Sequence, residues 1–141
     1  QLSYSYWTND ELTLPVSNPE QVNQSGVYYI KGTDVFNCFS VQPVTVRVEP
    51  RVFVPTAFTP NRDGRNDRFH YQVQGGLRTI QFFKIYNRWG VEVFHTTRIG
   101  EGWDGSYKGK PAETGVYVWL LKGETWLNNS VQTKGTVVLI R

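Results

Sequence analysis

The sequence predicts an all-β protein: an antiparallel β-sandwich of immunoglobulin-like size, preceded by part of a second β module. Three observations carry that expectation. Alternating polar and apolar runs, rich in β-branched and aromatic residues, are interrupted roughly every ten positions by Gly, Pro, Asn or Asp. No window sustains a helical period. The 141 residues are 39% hydrophobic and 15% aromatic, enough to build a core and unlike a disordered chain.

In order along the chain, the alternation places strands near residues 2–8, 12–16, 27–32 and 41–49. Four strands are too few for a sandwich. The first part is therefore expected to leave an unpaired edge or an exposed apolar face unless something covers it. Pro50 and Pro55 bracket a short boundary, giving domains at 1–50 and 51–141. Beyond it, strands are expected at 52–58, 68–73, 79–86, 91–96, 116–121 with an extension towards 125, and 131–140. Six or seven strands in about 90 residues match an immunoglobulin-like sandwich. In the 79–86 strand, Ile80, Phe82, Lys84 and Tyr86 share one face and Gln81, Phe83 and Ile85 the other. The expected core is Phe53, Phe58, Phe69, Phe83, Ile85, Val93, Phe94, Tyr117, Trp119, Val138 and Ile140.

Charge is unevenly spread. Residues 1–50 carry two bases and five acids, a net of −3, whereas residues 51–141 carry thirteen bases and seven acids, a net of +6. The basic residues are scattered singly, with no helix-turn-helix or ribonucleoprotein motif, so nucleic acid is not an expected partner. No apolar stretch approaches the roughly 18 residues of a membrane helix. The sequence contains no Met, so residue 1 is not a translation start and the chain is expected to be covalently part of a larger upstream protein. The lone Cys38 excludes an internal disulfide and leaves two readings: a small buried hydrophobe, or half of a bond to an upstream partner.

Four loops hold the residues of chemical interest. In residues 61–67, Asn61, Asp63, Asn66 and Asp67 cluster around Gly64. Such oxygens suit a calcium loop, yet Thr59 and His70 stand where an EF-hand-type loop needs its first Asp and its bidentate Glu, and Arg62 and Arg65 add positive charge. The alternative is an Asx-turn network that satisfies backbone amides, with no cofactor. Asn87-Arg88-Trp89-Gly90 has the composition of a hairpin connection, but the turn does not demand Arg88 or Trp89, which form either an exposed recognition pair or a cap folded over the sandwich end. Trp103-Asp104-Gly105 reads as a tight turn after an anchoring Trp, and Lys108-Gly109-Lys110-Pro111 as an exposed basic loop. His70 and His95 lack a nucleophile or ligand partner at motif spacing, so no catalytic residues and no enzyme are expected.

Thr59-Pro60-Asn61-Arg62-Asp63-Gly64-Arg65-Asn66-Asp67, Asn87-Arg88-Trp89-Gly90, Trp103-Asp104-Gly105 and the run from Gly135 to Arg141 occur in that order. Together they resemble the gliding-motility-associated C-terminal domain of Bacteroidota, the type B sorting domain of the type IX secretion system. Arg62 departs from the pattern, standing where the family usually has Gly. Residues 25–48 resemble the last strands of an immunoglobulin-like repeat. The resemblance implies a non-catalytic signal on a large surface protein or adhesin, exported to the cell surface through the type IX translocon and docked on a PorP/SprF-like outer-membrane protein. Partner-binding residues are expected at Arg88, Trp89, Ile140 and Arg141, with edge-strand pairing by residues 137–141 as one mode. Two rivals stand beside this reading. One is a carbohydrate platform built on Trp103, Trp126 and Tyr107; the other is a structural spacer in a stalk.

Overall fold

Strands form where the alternation is strongest, and turns where Gly, Asn or Asp breaks it. A computed structural model describes residues 1–141, and contacts within the chain divide it into two units, Gln1–Val48 and Glu49–Arg141. The protein is all-β apart from one short 3-10 turn at Pro19–Gln21.

The first unit is a three-stranded antiparallel sheet of β1 (Ser3–Trp7), β2 (Gly26–Thr33) and β3 (Phe39–Val46), in that order. The turn between β2 and β3 is fixed by Asp34, whose Oδ1 accepts from the Phe36 and Cys38 amides at 2.8 and 2.9 Å. The strand expected at 12–16 does not form. Asn9 folds that segment into a loop by accepting from the Thr13 and Leu14 amides, leaving a single bridge between Trp7 and Pro15. None of residues 1–48 is buried, and Tyr4, Val27, Phe36 and Phe39 are exposed. Cys38 is exposed as well, which removes the buried-hydrophobe reading of its thiol.

The second unit holds the whole core. Its strands are β4 (Val52–Phe53), β5 (Ala57–Phe58), β6 (Gln72–Val73), β7 (Leu77–Tyr86), β8 (Glu92–Thr96), β9 (Ser106–Tyr107), β10 (Lys110–Pro111), β11 (Gly115–Thr125) and β12 (Ser130–Leu139). Five form one sheet in the order β5-β12-β11-β7-β8, antiparallel throughout except for the parallel pair β5–β12; β4–β6 and β9–β10 form two small antiparallel pairs. This arrangement is consistent with an immunoglobulin-like sandwich.

Alternation decides which side chains enter the core. Tyr117, Trp119 and Leu121 of β11 and Val131, Val137 and Leu139 of β12 point inward, alongside Phe83 and Ile85 of β7. Phe58, Phe69, Tyr71 and Trp103 close over them through a run of ring contacts, including Phe58–Trp103 at 5.4 Å and Trp103–Tyr117 at 4.8 Å. Gly135 is required by this packing. It pairs across the ladder with Trp119, whose Cζ2 lies only 2.7 Å from where a Cβ on residue 135 would stand.

Several expectations are corrected. Val138 and Ile140 face outward while Val137 and Leu139 are fully buried, the opposite parity to that expected. Phe53 is 58% exposed, because residues 52–58 do not form one strand but split into β4 and β5, which join different sheets. The strand expected at 68–73 shortens to β6, and Phe69 instead makes an isolated bridge with Trp103.

Candidate functional site

The connection between β7 and β8 divides its four residues by task. Asn87 Oδ1 accepts from the amides of Trp89 and Val91 at 2.9 and 3.0 Å, and Gly90 takes the positive φ of 76° that closes the turn. Arg88 and Trp89 are left on display. Trp89 is 79% exposed and does not fold back over the sandwich end, while the Arg88 guanidinium lies 5.8 Å from its ring centroid. Arg88 Nη2 also pairs with Glu113 Oε2 at 3.1 Å.

That ion pair spans a groove of about 750 Å³. One wall is the Arg88–Trp89 turn, and the other is the segment from Tyr107 to Val116, with Val93 and the nearly buried Tyr117 between them. The far wall is the β9–β10 hairpin and its continuation, too short to be recognised as strands from sequence. Three buried or anchored groups hold it. The Trp103 indole donates to Ser106 O at 2.8 Å, and the Tyr117 hydroxyl donates to Glu113 O at 2.7 Å. Arg141 donates from Nη2 to Gly105 O at 2.7 Å and from Nε to Ala112 O at 3.2 Å. Burial raises the Tyr117 pKa, with the nearby Glu113 charge adding to the effect, so the phenol stays neutral and keeps its donor.

The four residues expected to meet a partner therefore separate. Arg88 and Trp89 line the groove, Arg141 braces its far wall from behind, and Ile140 lies on the outward side of the chain beyond β12. Edge pairing by residues 137–141 is excluded by topology: Val138 and Leu139 are already paired with β11 on one side and β5 on the other, and Ile140 donates to Phe58 O at 3.1 Å. Glu113 and Tyr117 were not anticipated as site residues. Their signal, an acid and an aromatic at the entry to a strand, becomes specific only when the hairpin folds beside Arg88.

The 61–67 loop is held by its own side chains. Asp67 accepts from the Arg62 and Gly64 amides at 2.6 and 2.8 Å; Asp63 accepts from the Arg65 amide at 2.8 Å and the Asn61 amide group at 2.9 Å. The Asn61 side chain and the Arg65 amide hold the Asp63 carboxyl below its ordinary pKa. The Asn61, Asp63 and Asp67 side chains thus form an Asx-turn network that satisfies the loop's backbone amides. No group of three or more His, Cys, Asp or Glu side chains is placed to hold a metal ion. Arg62 sits at φ 65°, in the left-handed region that favours glycine.

With the groove and loop in view, the comparison with known families is specific. The model of the CHU_C type IX secretion signal domain matches residues 52–139. The chain belongs to this family. No curated protein matches it. The match spans the whole core and the motifs of the second unit up to Leu139, two residues short of Arg141, so the type IX secretion signal domain is the folded sandwich itself rather than a short tail. The left-handed backbone at Arg62 supplies a physical reason for the glycine that the family resemblance led one to expect there. Membership also settles the coarse role of the groove's owner as a signal for export by the type IX secretion system, and no helix of the domain is long and apolar enough to cross a membrane.

Proposed function

We propose that the type IX secretion signal domain is a non-catalytic sorting signal on a larger surface protein of the adhesin kind, and that it docks on a PorP/SprF-like outer-membrane protein during export. The observation that supports this reading is the display of Arg88 and Trp89 at the rim of a groove whose far wall is anchored at three points. A turn needs neither side chain, and both residue types concentrate binding energy at protein interfaces. Docking through a folded surface also leaves the backbone of the sheet intact. The proposal includes no cofactor, a reading supported by the Asp63 and Asp67 carboxylates accepting from the loop's own amides, which hold its shape without an ion.

The carbohydrate alternative loses its platform. Trp103 is 1% exposed, and the exposed Trp126 follows the opposite end of β11 from the groove where Tyr107 lies. Eleven strand residues separate those ends by about 30 Å.

The test is a fusion of the chain to a neutral periplasmic reporter in a bacterium with a type IX system. The reporter is expected at the cell surface or in the medium. Retention of a folded fusion inside the cell would show a spacer rather than a signal.

A further inference from the structure

We propose that the groove between the Arg88–Trp89 turn and the β9–β10 hairpin binds an extended acidic segment of the partner protein, and that Glu113 occupies the carboxylate subsite until that segment arrives. The proposal rests on the sorting reading only in assigning the segment to the export partner; the groove chemistry stands on its own.

Three observations carry it. The first is charge: the lining holds Arg88, Lys108 and Lys110 against the single acid Glu113. A concave wall of this sign favours carboxylates, and Trp89, Val93, Tyr107 and Val116 give apolar surface for the residues between them. A concave, two-walled groove suits an extended chain better than a flat membrane.

The second is the Arg88–Glu113 pair, in which an intramolecular carboxylate sits 3.1 Å from the guanidinium with side-chain exposures of 66% and 84%. So exposed a pair is weak. It keeps Arg88 oriented towards the groove mouth, and an incoming Asp or Glu replaces it at little cost.

The third is backbone strain. Tyr107 and Lys110 pair across a two-residue turn whose central residues, Lys108 and Gly109, both have positive φ, 51° and 74°. This turn favours Asn-Gly, and a lysine in its first position is held in a conformation that L side chains rarely adopt. The hairpin thus keeps a cation at its tip where local chemistry prefers an amide. The Lys108 ammonium lies over the Tyr107 ring, 5.2 Å from its centroid, and both residues line the groove.

The test is titration of the full chain, observed by NMR, with a blocked peptide of three Leu-Glu repeats and its Leu-Gln and Leu-Lys counterparts. Saturable shifts are expected at the Trp89 indole and the 107–113 amides for the acidic peptide, weakening with salt, with the Gln peptide at least about tenfold weaker and the Lys peptide silent. Arg88→Ala is expected to weaken binding, whereas Glu113→Gln strengthens it by up to about fivefold, because it removes the competing carboxylate. Lys108→Asn is expected to weaken binding while raising the melting temperature.

Absence of saturable shifts in the groove would overturn the proposal, as would equal binding of the Lys peptide. So would a Glu113→Gln loss matching that of Arg88→Ala, since the pair would then be only structural. Shifts in these residues with anionic phosphatidylglycerol vesicles but not with the acidic peptide would assign the groove to lipid and likewise overturn it. The reporter fusion keeps the two readings separate: export without acidic-peptide binding refutes the groove occupant and spares the sorting signal, whereas groove binding without export does the reverse.

Discussion

At the scale of single residues, the surface divides into side chains that close turns and side chains that turns merely present. Arg88 belongs to the second kind, and its ion pair with Glu113 is largely solvent-exposed. Arg88→Ala is therefore expected to lower reporter export while shifting unfolding free energy by no more than about 1 kcal/mol, as chemical denaturation would measure. Arg62 belongs to the first. Its φ of 65° makes Arg62→Gly an expected gain of about 1 kcal/mol in the same measurement. Gly135→Ala should do the opposite, costing about 1–3 kcal/mol, because a methyl group there meets the Trp119 ring. Acid should loosen specific turns. Asp63 is held below the ordinary value of 3.8 by the Asn61 side chain and the Arg65 amide, and Asp104 by the Ser106 hydroxyl and amide. A depressed native pKa contributes stability above the unfolded value and loses it as pH falls through the native one. Exchange of the Arg65 and Ser106 amides should therefore accelerate below about pH 4, referenced to neighbours outside these turns.

At the scale of elements, the hairpin β9–β10 shows how a short piece becomes a rigid wall. Its few ladder bonds could not hold it alone, and Arg141 adds two guanidinium contacts to the carbonyls of Gly105 and Ala112. Arg141→Ala should raise hydrogen exchange at the Ala112 amide, which donates to Gly105 O, while the β11–β12 ladder keeps its protection. Long strands were legible in the sequence because alternation persists through them: β7, β8, β11 and β12 fall within a few residues of expectation. Parity in β12 was not. Val137-Val138-Leu139-Ile140 is apolar on both faces, so periodicity cannot say which pair enters the core; partnership with β11 decides it by setting Val137 against Tyr117. Trp103 was legible as a turn anchor but not as a core residue, since its burial depends on Phe58 and Tyr117, distant in sequence. The hairpin was hidden for a related reason: two-residue strands, one containing Pro111, carry no alternation to detect. Half of the groove was legible at Arg88 and Trp89. The other half needed the fold to bring Glu113 and Tyr117 beside them.

At the scale of the whole molecule, every buried hydrophobic residue lies between Phe58 and Leu139. A fragment of residues 49–141 is accordingly expected to unfold cooperatively, with the same near-ultraviolet circular dichroism transition as the main one of the full chain; a lower midpoint would show that residues 1–48 contribute to its stability. The parallel pairing of β5 with β12 has a further consequence. Ala57 and Phe58 wait for Val138 and Leu139, about 80 positions later, before their place in the sheet exists. A polypeptide broken off anywhere in between lacks the strand that fills the gap between β5 and β11, and with it the Arg141 brace behind the groove. If export reads the folded surface, as proposed, synthesis must run through β12 before the label becomes readable, and the label then also certifies that the message was translated through that point.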